Sequence, residues 1–505
     1  MKQIFCIVII LILSYLHTFA QQTTFSKIFS NYSLNAENGW KIMEVSTGYL
    51  LVSANTCLDN SSENCSSLVL VDYNGDVIWY RTLNQSLGYQ ASHIMFNENK
   101  IYVSGRSNDD DTQFSIYCYD IDGVLLWNKT YGSGSEREWP AGILKFSQGS
   151  IFLYGGRDRN QNHIYEWLPV LMKVNLQGDS LTEFTFNEQY DASSVRQVIE
   201  STQHDLIASY VYCPDGCFLD LKAGVICLDS VGNTKWVLDL PFSFSSYGCF
   251  VSQIDSNTLA VKWHIDSNLP NHDLTPPAIF FTNMSGAIQD TFIFQNQSLK
   301  EVHYMESIWE KGLVGSGSNF IDYLTLSNPP WGGWVFRMDE NREIVWDRTY
   351  LDTIYQGRSF GLNQIIPTSD GGYIATGTIT NFMTGVWESH NWILKLDSSG
   401  CLQPGCGNLN YITETEEAVF LKGKDIKVYP NPASEYVQVE FPEDFDLGQS
   451  SYVVVVSNSG KVIKQEKISA PISQLNLSGI TSGMYYLMIR RGNEIIGSKR
   501  IIVHH

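Results

Sequence analysis

A short unit with the outline of a β-hairpin recurs seven times between residues 68 and 401, and no other feature limits the fold so strongly. Each copy has an apolar segment, then Asp or Asn, in most copies Gly three residues later, and then a second segment rich in aromatic and β-branched residues. Because Asx side chains bond nearby backbone amides and Gly tolerates positive φ, the pattern predicts tight hairpin turns. The Asx positions are Asp72, Asp120, Asn175, Asp229, Asn283, Asp339 and Asp397, and the glycines are Gly75, Gly123, Gly178, Gly232, Gly286 and Gly400.

The sixth copy departs from this pattern, since Arg342 occupies the glycine position. The preceding residue is Asn341, and Asn enters the left-handed conformation more readily than most residues. We therefore expect Asn341 to take positive φ in this turn.

A second apolar segment precedes each Asx turn by roughly twenty residues. Small residues near the ends of these segments favour inner strands crowded around a central axis. Four strands per unit and a period near fifty residues are typical of a β-propeller. The sequence thus predicts an all-β protein with a seven-bladed β-propeller, six or eight blades being the alternatives. The predicted inner strands are residues 48–54, 99–105, 149–156, 204–210, 257–263, 311–317 and 371–377.

The two ends of the repeat region complement each other. After Asp397 no outer strand follows, whereas residues 25–29 (FSKIF) match the spacing of residues 346–350 (WDRTY). We expect this N-terminal strand to complete the last blade, which would leave no free sheet edge. The propeller is then predicted to span residues 21–401, and a disordered N-terminus is the alternative.

Ligand candidates lie in the long loops that follow the predicted inner strands, on one face of the ring. Long loops on a rigid scaffold often carry function, and aromatic rings suit the CH faces of sugars. The alternative is that these rings pack the loops onto the ring. The candidates are Tyr165, Trp167, Tyr212, His264, Trp331 and Trp387.

The ten cysteines favour local disulfides. The close pairs are Cys57 with Cys65, Cys213 with Cys217, and Cys401 with Cys406, each near enough in sequence to bridge in an oxidising compartment. A zinc site would need a second pair of ligands near residues 213–217, which the sequence lacks. Residues 109–111, three consecutive Asp, suit either calcium or a solvated acidic loop, and we predict no cofactor.

Charge and motifs narrow the function. The net charge of −20 argues against nucleic acid as a partner. The sequence contains no nucleophile elbow, zinc-protease helix motif or P-loop. We therefore favour a binding module for glycan or protein over an enzyme. The alternatives are a polysaccharide hydrolase or lyase, which would bring carboxylates together in an axial pocket, and a structural or adhesive surface protein.

Both termini indicate export. Residues 1–20 combine one early Lys, an apolar run and a small residue before the expected cut, which is typical of a signal peptide. No comparable apolar run follows, so we expect no transmembrane segment in the mature chain. At the other end, alternating apolar segments and turns predict a small β-sandwich over residues 426–505, joined by a linker at 402–425.

This C-terminal segment resembles the sorting domain of cargo for the type IX secretion system of Bacteroidetes. The resemblance rests on Tyr429, Pro430, Asn431, Pro432, Gly479, Gly483 and Tyr485, in the blocks IKVYPNPASEYVQVE and NLSGITSGMYYLMI. The repeats are also similar to those of secreted Bacteroidetes propeller proteins, with the phrase DGGY at residues 370–373. The resemblance implies passage through the periplasm, recognition by the type IX machinery, cleavage of the tail, and a secreted or cell-surface location.

Overall fold

The computed structural model describes residues 23–30, 37–56, 64–83, 93–106, 113–132, 137–158, 167–186, 192–213, 222–240, 249–264, 277–294, 299–320, 331–352, 359–381, 388–412, 416–419, 427–441, 451–457, 462–491 and 494–504. These residues form strands and turns and no helix. Within these ranges there is accordingly no helix with the length and apolarity needed to cross a membrane.

Most strands belong to four-stranded antiparallel units, which we name A to G in chain order. Unit A contains β2 (Glu37–Val45), β3 (Gly48–Thr56), β4 (Asn64–Val71) and β5 (Val77–Leu83). Unit B contains β6 (His93–Asn97), β7 (Lys100–Arg106), β8 (Phe114–Asp120) and β9 (Leu125–Tyr131). Unit C contains β10 (Glu138–Phe146), β11 (Ser150–Asp158), β12 (Trp167–Asn175) and β13 (Ser180–Thr185). Unit D contains β14 (Ala192–Glu200), β15 (Leu206–Cys213), β16 (Lys222–Leu228) and β17 (Thr234–Asp239).

The remaining units follow the same order. Unit E contains β18 (Phe250–Gln253), β19 (Thr258–His264), β20 (Pro277–Asn283) and β21 (Ile288–Ile293). Unit F contains β22 (Leu299–Ser307), β23 (Leu313–Phe320), β24 (Trp331–Met338) and β25 (Ile344–Asp352). Unit G contains β26 (Ser359–Pro367), β27 (Tyr373–Asn381), β28 (Glu388–Leu396) and, from the other end of the chain, β1 (Phe25–Ser30).

The N-terminal strand β1 pairs antiparallel with β28, with Phe25 opposite Lys395 and Phe29 opposite Asn391. Two short strands after unit G attach to outer edges. Strand β29 (Leu409–Ile412) runs parallel to β25, and β30 (Glu416–Val419) runs parallel to β1. Part of the predicted linker therefore forms sheet structure on the ring.

Apolar cores lie between consecutive units. One cluster joins units A and B through Leu50 and Ile101, and comparable clusters join each later pair of neighbours. A further cluster packs Ile374 of unit G and Phe29 of β1 against Leu51 of unit A. The units therefore form a closed ring, which is the architecture of a β-propeller.

The Asx turns have the predicted chemistry. In unit A the Asp72 carboxylate accepts hydrogen bonds from Asn74 N at 2.8 Å and Asp76 N at 2.9 Å, and Gly75 has φ of 81°. In unit F, however, the prediction for Asn341 is wrong, because Arg342 is the residue with positive φ, 69°. Contacts outside the turn hold Arg342, whose guanidinium pairs with Asp290 and lies 4.6 Å from the ring centre of Phe281.

The prediction of the inner strands is also wrong. The predicted segments form β3, β7, β11, β15, β19, β23 and β27, which are the second strands of the units. The innermost strands are those before them, namely β2, β6, β10, β14, β18, β22 and β26. Second strands are covered by sheets on both faces, so they are the more apolar, whereas the innermost strands turn polar residues towards the axis.

The C-terminal residues form two sheets, β31–β32–β35 and β34–β33–β36–β37. Their strands are β31 (Lys427–Tyr429), β32 (Tyr436–Glu440), β33 (Ser451–Ser457), β34 (Val462–Lys467), β35 (Ile472–Asn476), β36 (Gly483–Arg491) and β37 (Glu494–Val503). Both sheets contribute to one apolar cluster, in which Val437 and Leu475 meet Val455, Leu487 and Ile501.

Candidate functional site

A cavity of about 470 Å³ lies on the axis of the ring, and all seven described units contribute to its wall through their innermost strands. Its polar lining residues are Lys41, His93, Tyr154, Arg196, Gln197, Ser252, Tyr304, Glu306 and Gln364. Its apolar lining residues are Ile42, Met43, Ile94, Ile143, Leu144, Val198, Ile199, Phe250, Ile366 and Pro367. A volume of this size is typical of small-molecule sites.

β-Bulges shape the wall of this cavity. Five innermost strands, β2, β10, β14, β22 and β26, shift register by one residue against their second strand. The extra residues are Trp40, Ala141, Arg196, His303 and Asn363. A bulge bends its strand and re-aims the adjacent side chains. In four of these strands the residue after the bulge lines the cavity: Lys41, Gln197, Tyr304 and Gln364.

One side of the cavity carries a lysine, a tyrosine and a glutamate in contact. Lys41 Nζ lies 3.9 Å from the ring centre of Tyr304, and Tyr304 Oη donates a hydrogen bond to Glu306 Oε2 at 2.7 Å. Burial lowers the pKa of Lys41 to about 7, against the attraction of Glu306. Burial also raises the pKa of the Glu306 carboxyl, which the bond from Tyr304 and the charge of Lys41 oppose. The group therefore places proton donors and acceptors with shifted pKa values on one wall.

His93 is the first residue of β6, the innermost strand of unit B. Its ring meets the Tyr154 ring edge-on, with 6.1 Å between centres, and its buried Nδ1 has no hydrogen-bond partner. Burial, and secondarily the charge of Lys41, holds the pKa of His93 well below its usual value. The imidazole is therefore neutral at neutral pH, and each of its nitrogens remains available to donate or accept a single hydrogen bond.

Arg196 is the bulge residue of β14 and reaches the cavity from unit D. Its Nε is buried and has no hydrogen-bond partner, and no described carboxylate forms an ion pair with its guanidinium. Burial lowers the pKa of Arg196, but an arginine keeps its proton in proteins. The cavity thus holds one permanent positive charge without a partner among the described residues.

The described lining contains one carboxylate, that of Glu306. Glycoside hydrolysis in its usual form needs two carboxyl groups that face each other across the bond to be cleaved. Within the described residues there is also no cluster of three or more His, Cys, Asp or Glu side chains that could hold a metal ion.

A second cluster, at the turns between the first and second strands of units C and D, has the residue types of a hydrolase triad. Ser147 Oγ contacts a Glu200 oxygen and lies 2.9 Å from His204 Nδ1, while Glu200 Oε1 lies 2.7 Å from the same nitrogen. A triad needs the serine and the carboxylate on opposite ring nitrogens, so this arrangement cannot relay a proton between them. Ser147 N also donates to Glu200 Oε2 at 2.7 Å, which identifies the cluster as a contact between turns of units C and D.

The ligand-face residues predicted from sequence are dispersed. Trp167 is partly exposed and meets Trp139, itself 38% exposed, edge-on at 6.5 Å between ring centres. Tyr212 is buried, and its hydroxyl donates to Asp239 Oδ1 at 3.0 Å. Trp331 is partly exposed and packs against Phe320.

His264 closes strand β19 opposite Pro277, and the structure describes its backbone alone. Tyr165 and Trp387 lie outside the described residues. Of the three whose side chains the structure describes, Trp167, Tyr212 and Trp331, none lines the axial cavity.

Of the cysteine pairs, Cys401 and Cys406 form a disulfide with 5.7 Å between Cα atoms. Cys57 and Cys217 lie outside the described residues, and so does the acidic run at 109–111. Cys65 belongs to β4, where its side chain is not described, and Cys213 is buried at the end of β15.

The predicted sorting-motif residues stabilise turns of the C-terminal sheets. Tyr429 Oη donates to Glu440 Oε2 at 3.1 Å, and Asn431 Oδ1 accepts the Ile502 amide at 2.8 Å. Pro430 and Pro432 follow cis peptide bonds on either side of Asn431. Gly479 has φ of 85°, Gly483 begins β36, and Tyr485 Oη donates to the Thr481 carbonyl at 2.9 Å.

The cavity residues escaped the sequence reasoning because the innermost strands lack apolar alternation. A usable signal exists in hindsight. Near the middle of four of these strands are two consecutive polar or aromatic residues, of which the first is the bulge residue and the second lines the cavity. These pairs are Trp40–Lys41, Arg196–Gln197, His303–Tyr304 and Asn363–Gln364.

Comparison with known proteins identifies the C-terminal segment. Residues 427–504 match the family described as the secretion system C-terminal sorting domain. A segment of this family implies export, and it supports a secreted or cell-surface location. A comparison with curated proteins finds no match.

Among solved structures, the chain is similar to the β-propeller domain of the Trilobed protease from Pyrococcus furiosus, with 8% identity, TM-score 0.39, and coverage of 75% of this chain and 99% of that one. It is also similar to an α-L-arabinofuranosidase from Fusarium graminearum, with 10% identity, TM-score 0.38, and coverage of 60% and 92%. A Trypanosoma rangeli sialidase matches with 9% identity, TM-score 0.37, and coverage of 86% of both chains. Because all three TM-scores are below 0.5, these similarities support no conclusion about activity.

Proposed function

We propose that the chain is cargo of the type IX secretion system that reaches the cell surface or the medium through the periplasm. In this proposal residues 1–20 are a signal peptide, 21–401 a seven-bladed propeller, 402–425 a connecting segment and 426–505 a cleavable sorting sandwich. The match at 427–504 supports the export route. Seven innermost strands around one cavity support the blade count, and the common core of two sheets supports the sandwich.

The propeller's function in this proposal is to bind a small extracellular ligand, with a glycan unit favoured over a folded protein partner. The axial cavity carries the proposal. Its volume of about 470 Å³ accommodates one or two sugar rings, whereas a folded protein cannot enter. The lining combines apolar residues such as Ile94, Leu144 and Phe250 with hydrogen-bonding groups such as Gln197 and Ser252, which suits the CH faces and hydroxyl edges of a sugar.

Binding is favoured over catalysis because Glu306 is the one carboxylate among the described lining residues. A purely structural surface protein has no need for charged groups inside a cavity, since burying them destabilises the fold. The polar lining of the axis therefore argues for a ligand.

The test is a screen of defined mono- and disaccharides by thermal shift, followed by calorimetry. Leu144→Trp fills the cavity, and Leu126→Trp makes the same exchange on the outer strand β9, where Leu126 is 47% exposed. We expect at least one saccharide to bind the wild-type and Leu126→Trp proteins and to lose affinity for Leu144→Trp. Binding that Leu144→Trp leaves intact would place the ligand elsewhere and overturn the assignment of the cavity.

A further inference from the structure

The positive charges of the axial cavity exceed its negative charges among the described residues. Arg196 and Lys41 are its basic residues besides the neutral His93, and Glu306 is its acidic one. An uncompensated buried charge destabilises a protein unless a partner or a ligand offsets it. We propose that the cavity binds a ligand that carries a carboxylate, a sugar acid within the binding role proposed above, and that Arg196 receives that carboxylate. This inference rests on the proposed function.

Arg196 has the features of a receptor group rather than of a structural ion pair. It is the extra residue of a β-bulge, and it is the one bulge residue among the described lining residues of the cavity. Its buried Nε is unsatisfied, and no described carboxylate pairs with it. The partly buried Arg157 of the neighbouring unit C differs, since it forms hydrogen bonds with both Glu138 and Glu183.

A nearby thiol does not offset the charge of Arg196. Cys249 is the ionisable group that acts on Arg196. Burial raises the pKa of Cys249 to about 12, so the thiol is neutral at neutral pH. A ligand carboxylate would therefore supply the missing negative charge, and a guanidinium can bind both of its oxygens at once.

The opposite wall supplies groups for the rest of the ligand. Glu306 accepts the Tyr304 hydroxyl, and Lys41 lies over the Tyr304 ring, so these three groups are already arranged without the ligand. The unsatisfied Nδ1 of His93 offers a further hydrogen bond, which a sugar hydroxyl satisfies in either direction. Aliphatic lining residues, among them Ile94, Ile199 and Ile366, suit a compact carbon skeleton.

The test uses the full chain and three probes: D-glucuronate, methyl β-D-glucoside and inorganic phosphate, at equal ionic strength. We expect D-glucuronate to raise the Tm of the wild-type protein and the neutral glucoside to raise it less or not at all. Arg196→Met should weaken D-glucuronate binding about thirtyfold or more, as expected when one partner of a buried charge pair is lost. Arg81→Met, on the outer strand β5, is the matched control and should bind as the wild type does.

A second readout needs no ligand. If the charge of Arg196 is uncompensated in the ligand-free protein, Arg196→Met should raise the Tm in buffer without carboxylates or phosphate, because the substitution removes that charge. A lower Tm for Arg196→Met, or equal stabilisation of the wild type by D-glucuronate and the glucoside, would overturn the proposal. Phosphate that stabilises as much as D-glucuronate does would likewise overturn the assignment to a carboxylate.

The two proposals fail in distinguishable ways. A neutral saccharide whose binding is lost in Leu144→Trp but retained in Arg196→Met would leave the cavity as the ligand site and refute the role of Arg196. Saccharide binding unaffected by either substitution would refute both.

Discussion

Arg342 donates a hydrogen bond to Asp290 at 2.7 Å across the boundary between units E and F. Asp290 is the third residue of its outer strand, and four other outer strands carry tryptophan at this position. Arg342 is the third residue after the Asp of its turn, a position that is glycine in the other six turns. At those four boundaries the indole packs directly on the glycine of the next turn. These pairs are Trp79 with Gly123, Trp127 with Gly178, Trp236 with Gly286, and Trp346 with Gly400.

Asp290 in place of tryptophan and Arg342 in place of glycine are therefore coupled departures from the repeat. A side chain at any of these glycines would collide with the indole, whereas Asp290 leaves room for Arg342 and offers it a charge. We predict that Asp290→Trp and Arg342→Gly each lower the free energy of unfolding. The double variant should recover about 1 kcal/mol or more relative to their sum, since contacting residues couple by about 0.5–3 kcal/mol. A double-mutant cycle in urea measures this, and strictly additive effects would contradict it.

The N-terminal strand should matter for the stability of the whole ring. Phe29 is 0% exposed and packs in the cluster shared by units G and A. Phe29→Ala should lower the free energy of unfolding by about 3–5 kcal/mol, the usual loss for a buried phenylalanine. Urea unfolding of this variant and of the control Val231→Ala, where Val231 is 66% exposed, measures the difference. A loss no larger than that of the control would show that β1 is dispensable for closure.

The stability of the protein should increase with pH above neutrality because of Lys41. Its pKa is about 7 in the folded protein and near 10.5 when exposed, so between these values the unfolded chain binds more protons. The contribution of Lys41 to the free energy of unfolding should therefore increase from pH 7 to pH 10. Lys41→Met should flatten part of this slope, and Lys262, whose pKa is also lowered to about 7 by burial, accounts for a further part.

Urea unfolding at pH 7 and pH 9.5 tests the contribution of Lys41. Met43→Leu, two residues along the same strand, removes no titratable group and should keep the wild-type slope. An unchanged slope in Lys41→Met would show that this lysine is solvated in the folded protein.

Export should depend on the folded C-terminal sheets. Leu487 is 0% exposed in their common core, and Leu487→Ala should destabilise this segment by about 2–5 kcal/mol. We expect the variant to accumulate inside the cell, while Val462→Ala, at a residue 57% exposed, is exported normally. Intact mass of the exported wild-type protein should lack residues 1–20 and the sorting segment, and a product that retains the segment would contradict the cleavage.

Local chemistry made the hairpins predictable. Asp72 and Gly75 lie three residues apart, and their turn forms through contacts within five residues, so its geometry is encoded in adjacent positions. The turn at Arg342 was mispredicted for the complementary reason. The side chain of Arg342 pairs with Asp290, which is 52 residues away in sequence, so no local pattern indicated that an arginine would occupy the positive-φ position.

The candidate site was not predictable in the same way. Lys41 and Tyr304 are separated by more than 260 residues and meet because the ring brings units F and A close to one another around the axis. The bulges that aim Arg196 and Tyr304 are register shifts between paired strands, and register depends on the partner strand as well as on the bulged one.

By itself, the sequence determined the all-β character, the repeated Asx turns and the export segment at the C-terminus, because each depends on residues close together in the chain. Only the tertiary structure decided which strand of each unit faces the axis and which charges meet in the cavity. Hydrophobic alternation marks a strand as buried but does not say whether a sheet or an axial cavity covers it, and the polar groups of the axis come from strands dispersed over the whole ring.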